Sequence, residues 1–401
     1  MSFTGCVPTN ELQKWLPDMP DSKNGEISAW HYATRQPVLV RWRDGVITHL
    51  QSVASPPPQD LWIAPPLFDL QINGFAGVDF QQDGLTADNL LHATRGLRTA
   101  GCAQFLLTLI TDEWQAMTAR LRHLRAVREQ SSELQRAIVG WHVEGPFLST
   151  EPGFHGAHDP SRMMDPTLEH VLELRSITGE DPLLLTVSPE RRGALEAIAL
   201  AVSCGVKVSL GHTDAPAKTL EAAVKAGATG FTHLGNGCPR ELDRHDNIVW
   251  RVLDTPGLTV SLIPDRIHVS PLLFRLVHRV LTPTAIYYTT DAMAAAGAPP
   301  GRYKLGRLEV EVGADQVVRQ PGKTNFAGSA AQPIDAVFRA AEMLGCAWQE
   351  VWPRLSETPA KFMGLRNELA VGQTANFCVL KVAGQNHLVE LQVYASGEKW
   401  I

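Results

Sequence analysis

Through the middle of the chain, short apolar runs alternate with stretches whose apolar residues recur at helical spacing. Phe105–Ile110, Ile138–Val143, Leu183–Val187, Val206–Leu210, Thr229–His233, Leu258–Ile263 and Ala285–Thr290 are strand-like. Between or after them, Glu113–Gln135, Leu168–Ile177, Arg192–Ser203, Ala217–Ala226, Pro271–Leu281 and Pro333–Leu344 carry helical periodicity. In Ala217–Ala226, for example, Leu220, Ala223 and Val224 share one face. Such alternation predicts an α/β fold with a parallel sheet, and this many units favour a closed barrel over an open sheet. A doubly wound sheet is the alternative, weakened because no Gly-x-Gly-x-x-Gly turn comes after the first strand.

The two ends read differently. Pro37–Arg43 and Val46–Leu50 flank Asp44-Gly45, a hairpin signature, and Pro56-Pro57-Pro58 separates that module from the alternating centre. Near the C-terminus, Ala375–Val382 and Leu388–Tyr394 are again strand-like. The expected organisation is a distorted TIM-like (β/α)8 barrel over residues 65–369. Residues 1–64 and 370–401 would form a small β-sandwich domain. The 401 residues suit a barrel of about 250 residues plus such an appendage.

Composition narrows the partners. A net charge of -6 leaves no electrostatic footprint for nucleic acid or an anionic membrane. No apolar run approaches the ~20 residues of a membrane span, and Met1–Pro8 has neither the basic nor the apolar region of a secretory signal. The six cysteines (Cys6, Cys102, Cys204, Cys238, Cys346 and Cys378) are scattered, without a Cys-x-x-Cys pair. These features predict a cytoplasmic protein that binds a small molecule.

The chemistry sits at strand ends. Glu144, His212 and His233 each close an apolar run. A carboxylate and two imidazoles with one open position form the ligand set of hydrolytic zinc sites, and ligands at one end of consecutive strands converge on the top of a barrel. Singly, a strand-end histidine is more often structural; three in register point to a site. Gln71 and Asn73 alternate on the first barrel strand and face the same side. Neutral amides are weak ligands, so this pair predicts one metal rather than two. Asp291 comes after Tyr288-Thr-Thr and is placed to move a proton between water and a leaving amine, or else to cap a helix over Ala292–Ala296. The Gly- and Pro-rich loop Phe154–Pro160 brings His155 and His158 within reach of the pocket, where an imidazole could polarise a carbonyl.

These residues and their surroundings resemble the N-acetylglucosamine-6-phosphate deacetylases of the amidohydrolase superfamily. The matching segments include Asp69-Leu-Gln-Ile-Asn-Gly, His142-Val-Glu-Gly-Pro-Phe, Gly156-Ala-His-Asp-Pro, Gly211-His-Thr-Asp-Ala and Thr232-His-Leu-Gly-Asn. Asp265-Arg-Ile-His-Val, Thr290-Asp-Ala-Met-Ala-Ala-Ala-Gly, Pro300-Gly-Arg-Tyr-Lys-Leu-Gly, Ala327-Gly-Ser-Ala and Thr358-Pro-Ala-Lys continue in family order. The resemblance implies deacetylation of N-acetylglucosamine 6-phosphate by a homodimer. It implies one divalent ion per subunit held by Glu144, His212 and His233, with zinc expected and iron, cobalt or manganese also fitting. Asp291 matches the acid/base and His158 the histidine on the acetyl carbonyl. Asn236, Gly237 and His268 match the sugar-phosphate pocket, and Arg244 the phosphate-binding arginine.

Departures cluster at the expected phosphate end. Asn236-Gly237-Cys238 replaces Asn-Ala-Met, His245-Asp246 replaces Pro-Gly after Arg244, and Arg266 stands where Gly is usual. Two extra loop residues and His155 precede His158. Arg266 either adds a second phosphate cation or pairs outward with Asp265 or Asp246. The departures keep two other readings in view: hydrolysis of a different N-acyl amino sugar, and a sugar-phosphate sensor without turnover.

Overall fold

The computed structural model of the protein describes residues 23–322 and 326–400. Residues 1–22 of the segment assigned to the terminal domain, which include Cys6 and the residues read for a secretory signal, lie outside the described residues.

Eight parallel strands form the central sheet: β1 (Leu67–Ile72), β2 (Cys102–Ile110), β3 (Ile138–Glu144), β4 (Leu183–Val187), β5 (Lys207–Leu210), β6 (Gly230–Phe231), β7 (Thr259–Leu262) and β8 (Ile286–Tyr288). They pair in chain order, each with the next. Every residue of β1 and β4 is buried, as expected where helices cover a parallel sheet and its strands read as continuous apolar runs. Among the described residues, β8 and β1 share no ladder. One bridge joins Ile72 to Ala292, and the amides of Asn73 and Gly74 donate to the Ala292 carbonyl. The barrel is therefore distorted at this seam, in agreement with the expected class.

The helices begin and end where local chemistry dictates. Helix Leu168–Thr178 is capped by Thr167, whose hydroxyl accepts from the His170 amide. Helix Pro333–Leu344 starts on proline and ends at Gly345, whose φ of 68° suits the left-handed cap. The single helix expected over 113–135 is two helices, Trp114–Arg128 and Ser132–Ala137. Ser131 divides them by accepting from the Leu134 amide, a bond that competes with helix continuation.

A seven-stranded sheet gathers both ends of the chain. Its strands are Gly25–His31, Pro37–Arg43, Val46–Ser52, Leu61–Ala64, Phe377–Ala383, His387–Ala395 and Glu398–Lys399. The expected hairpin turns on Asp44 and Gly45, both at positive φ. This sheet has its own core, in which Trp42 packs edge-on against Phe377 and Tyr394. The Tyr32 hydroxyl, donating to Glu357, ties it to the barrel. A further three-stranded sheet, Gly301–Leu305, Leu308–Val312 and Val318–Arg319, was not among the expected elements. Among the described residues, no helix is long and apolar enough to cross a membrane.

Candidate active site

The ends of β3, β5, β6 and β8 deliver the four residues singled out from the sequence. Glu144 is the last residue of β3. His212, His233 and Asp291 stand just beyond β5, β6 and β8, at φ values of 52°, 33° and 53°. Left-handed backbone is costly for residues other than glycine and is retained where surrounding structure enforces it. Here it turns each side chain out of the strand direction and into one buried pocket.

Glu144, His212 and His233 are buried, with one potential ligand atom each lying within 4.8 Å of the others. His212 Nδ1 donates to the Phe154 carbonyl at 2.8 Å, which leaves its Nε2 as a lone pair. That nitrogen is buried without a hydrogen bond, 3.3 Å from Glu144 Oε1. His233 Nε2 lies 2.8 Å from the same oxygen. Burial pushes the Glu144 carboxyl up, yet the histidines around it, His212, His233 and His158, hold it well below the usual carboxylate range. A buried carboxylate facing two imidazoles, each with a nitrogen that has no hydrogen bond among the described residues, fits a divalent ion, with a backbone carbonyl orienting one ligand from outside.

Two glycines press on His212. A Cβ on Gly156 would lie 3.0 Å from its Cε1, and one on Gly237 would lie 2.8 Å from its Nδ1. Both glycines have positive φ. The lengthened loop before His158 thus supplies a carbonyl and a close backbone approach to a ligand histidine, and Gly237 answers from the opposite loop. Gly156→Ala is expected to displace the ring and weaken metal retention by the ~10–100-fold typical of disturbed outer-shell partners. Metal per subunit after dialysis against graded chelator measures this. Unchanged retention would mean that the ring has room to shift.

Gln71 and Asn73 point together, as their alternation predicted. Gln71 Nε2 and Asn73 Nδ2 donate to Asp291 Oδ1 at 3.0 and 2.6 Å. Asp291 caps no helix, since turns and not a helix come after it. Burial and the nearby Glu144 carboxylate push its carboxyl up to about 8, against the opposing pull of His233 and the Asn73 bond.

His158 is buried beside the ligands, its Nε2 3.7 Å from Glu144 Oε2. Its Nδ1 accepts from the Thr111 amide and meets the Thr111 hydroxyl at 2.8 Å, so Nε2 carries the proton and points into the pocket. Burial, then the neighbouring His212, push its pKa down to about 3. It is a neutral hydrogen-bond donor at physiological pH. Beyond it, a cavity of about 290 Å³ extends past Ile110, Ala157, His155, Leu305 and Leu308.

The expected phosphate end is less gathered. Asn236 folds back on the His233 carbonyl. His268 Nδ1 is fixed by Asp265 at 2.6 Å, and its ring packs on Phe326. Arg244 is exposed and has no ion pair or hydrogen bond among the described residues. Arg266 does not join the pocket: its guanidinium turns outward onto Glu342. The φ of 68° at this position accounts for glycine being usual there. The outward alternative is the one observed, with Glu342 in place of Asp265 or Asp246. Sequence reasoning missed Thr111, Asp69, the Phe154 carbonyl and Gly156 as a packing residue, because their roles depend on contacts distant in the chain.

The barrel and its buried Glu/His/His group define a metal-dependent hydrolase of the amidohydrolase superfamily. No family model matches the chain. N-acetylglucosamine-6-phosphate deacetylase of Danio rerio is 31% identical over 349 residues, covering 84% of each chain. That of Vibrio furnissii is 28% identical over 333 residues, 83% of this chain and 81% of its own. A solved mutant of the Mycobacterium smegmatis N-acetyl-D-glucosamine-6-phosphate deacetylase, in complex with N-acetyl-D-glucosamine-6-phosphate, superposes with a TM-score of 0.83. It is 27% identical and covers 94% of this chain and 99% of that chain. The chain belongs to the N-acetylglucosamine-6-phosphate deacetylases.

Proposed function

We propose that the protein hydrolyses the acetamide of N-acetylglucosamine 6-phosphate to glucosamine 6-phosphate and acetate, with Asp291 as acid/base. The observation that carries the reading is Asp291 itself, held by two amides beside the buried Glu144, His212 and His233. A non-catalytic sensor has no use for a carboxylate so placed.

Glu144, His212 and His233 would hold one divalent ion per subunit, for which we propose zinc. When bound, such an ion acidifies water and polarises the acyl oxygen. The remaining steps belong to the chain. Both amides occupy Asp291 Oδ1, so Oδ2 is the atom that takes a proton from water and returns it to the leaving nitrogen. His158 Nε2–H donates a hydrogen bond to the acyl oxygen as charge develops there. Gln71 and Asn73 keep the carboxylate from rotating away. We further propose that the sugar phosphate is bound by Asn236, Gly237, His268 and Arg244. Arg244 is unpaired among the described residues and free to take an anion. The protein is read as a cytoplasmic homodimer, on its family and on five free cysteines among the described residues.

A panel of N-acyl amino sugars with and without 6-phosphate tests the substrate. Acetate release is expected from the 6-phosphate, and Arg244→Ala should raise KM for that substrate far more than for the unphosphorylated sugar. Arg266→Ala should leave both unchanged, because its partner is Glu342. Turnover confined to another N-acyl sugar would overturn the substrate and keep the mechanism. That second reading is motivated by Gly237-Cys238 and His245-Asp246, which depart from the family pattern at the expected phosphate end.

A further inference from the structure

The Asp69 carboxylate is fully buried at the barrel seam, and the hydrolytic chemistry gives it no task. It sits on β1 and reaches across to the segment after β8. Its Oδ2 accepts from the Thr290 amide at 2.9 Å and from the Thr290 hydroxyl at 2.7 Å. Its Oδ1 accepts from the Thr289 hydroxyl and from the Gln71 amide. A buried carboxylate is costly unless its lone pairs are satisfied, and here four donors converge on it. Burial still pushes its carboxyl up, against those four bonds.

The location gives the bonds a consequence. β1 and β8 share no ladder, only the Ile72–Ala292 bridge with its amides. Yet this seam is where Gln71 and Asn73 of one edge must meet Asp291 of the other. Asp291 holds a left-handed φ, so its neighbours must fix it from both sides. Thr290 is pinned by Asp69, and its hydroxyl also accepts from the Ala292 amide at 3.3 Å. Ser329 holds the Thr290 carbonyl and, through its amide, the Asp291 carbonyl at 2.9 Å. Ala292 is held by Asn73.

We propose that Asp69 is a positioning residue for Asp291: by tying Thr289 and Thr290 to β1 it sets the register in which Gln71 and Asn73 grip the acid/base carboxylate. The proposal rests on the reading of Asp291 as that acid/base. A displaced catalytic group costs rate more than binding, so Asp69→Asn is expected to lower kcat ~10- to 100-fold while KM and metal content stay within about twofold of the unmodified protein. Asparagine keeps the shape but can place an N–H against the Thr290 amide, breaking the clamp.

The deciding measurement is a double-mutant cycle on kcat. In an Asp291→Asn background, adding Asp69→Asn should change kcat by less than about twofold, because the residue it positions is already disabled. Equal losses in both backgrounds would overturn the proposal and assign Asp69 to general stability. Near-normal activity of Asp291→Asn alone would instead remove the acid/base reading beneath it. Should Asp69→Asn not fold, Thr290→Ser and Thr290→Val carry the test. Serine retains the hydroxyl and should keep kcat, whereas valine should lower it ~10-fold or more. Equal kcat values for the two would refute the clamp.

Discussion

Asp291→Asn is expected to retain its metal and lose at least ~10²-fold in kcat, the scale of a missing acid/base. Asparagine reproduces the volume and one oxygen, so Gln71 and Asn73 keep a partner and the seam stays closed. Lost is Oδ2 as a proton acceptor. The pH profile supplies an independent reading. Burial and Glu144 raise the Asp291 carboxyl to about 8, and a base works only when ionised. Activity of the unmodified enzyme should therefore rise with pH through this group. A nearby divalent cation favours the carboxylate, so the metal-loaded limb should fall below pH 8 and vanish in the variant. The stability sign is opposite. A carboxyl raised above its ordinary value near ~4 binds its proton more tightly in the folded state. Its contribution is complete below about 4 and lost as pH rises through about 8, so metal-free protein should weaken with increasing pH from this group. Variant activity within threefold of the unmodified protein would show that Asp291 serves only the backbone.

The barrel was legible because burial on both faces writes parallel strands as apolar runs, and helices between them carry their own period. It was less legible where geometry overrides pattern. Thr229–His233 reads as five strand residues, but only Gly230–Phe231 pair as strand, since His233 must leave the strand at positive φ to enter the pocket. Glu113–Gln135 keeps a helical period across Ser131, yet the cap at Ser131 splits it. The sheet over 301–319 had a usable signal: Leu308-Glu-Val-Glu-Val alternates strictly after Gly306-Arg307. Its position between Asp291 and the helix at Pro333 masked it, because a barrel reading expects a loop there.

The site divides along the same line. Glu144, His212, His233 and Asp291 were visible because strand ends of a barrel share one face, so residue type and position sufficed. Gln71 and Asn73 came from alternation. Thr111, which sets the His158 tautomer, and Asp69, which closes the seam, were not visible: a threonine or aspartate in an apolar run has many uses, and only the tertiary partner selects one. Arg266 shows the converse. Its charge suggested a phosphate contact, but a left-handed backbone and Glu342 on the helix Pro333–Leu344 direct it outward.

His212→Ala is expected to abolish both bound metal and turnover, and to do so beyond the ~10–100-fold cost of losing an outer-shell partner. His212 is the ligand with a built orientation, its Nδ1 committed to the Phe154 carbonyl and its ring held between Gly156 and Gly237. Its loss leaves Glu144 with one imidazole, too few donors for a tetrahedral site with an open position. The unmodified protein should hold one ion per subunit, since the second-site positions are the amides Gln71 and Asn73, both already spent on Asp291. Metal bound to the folded state alone also stabilises it, by ~2.7 kcal/mol at a free concentration of 100 Kd. Chelation should therefore lower the melting temperature of the unmodified protein and leave that of His212→Ala unchanged. The variant separates loss of metal from loss of fold: its melting temperature should match that of the chelated unmodified protein. Two tightly held ions per subunit in the unmodified protein, or a His212→Ala variant that keeps its ion and its turnover, would show that the ligand set has been assigned to the wrong residues.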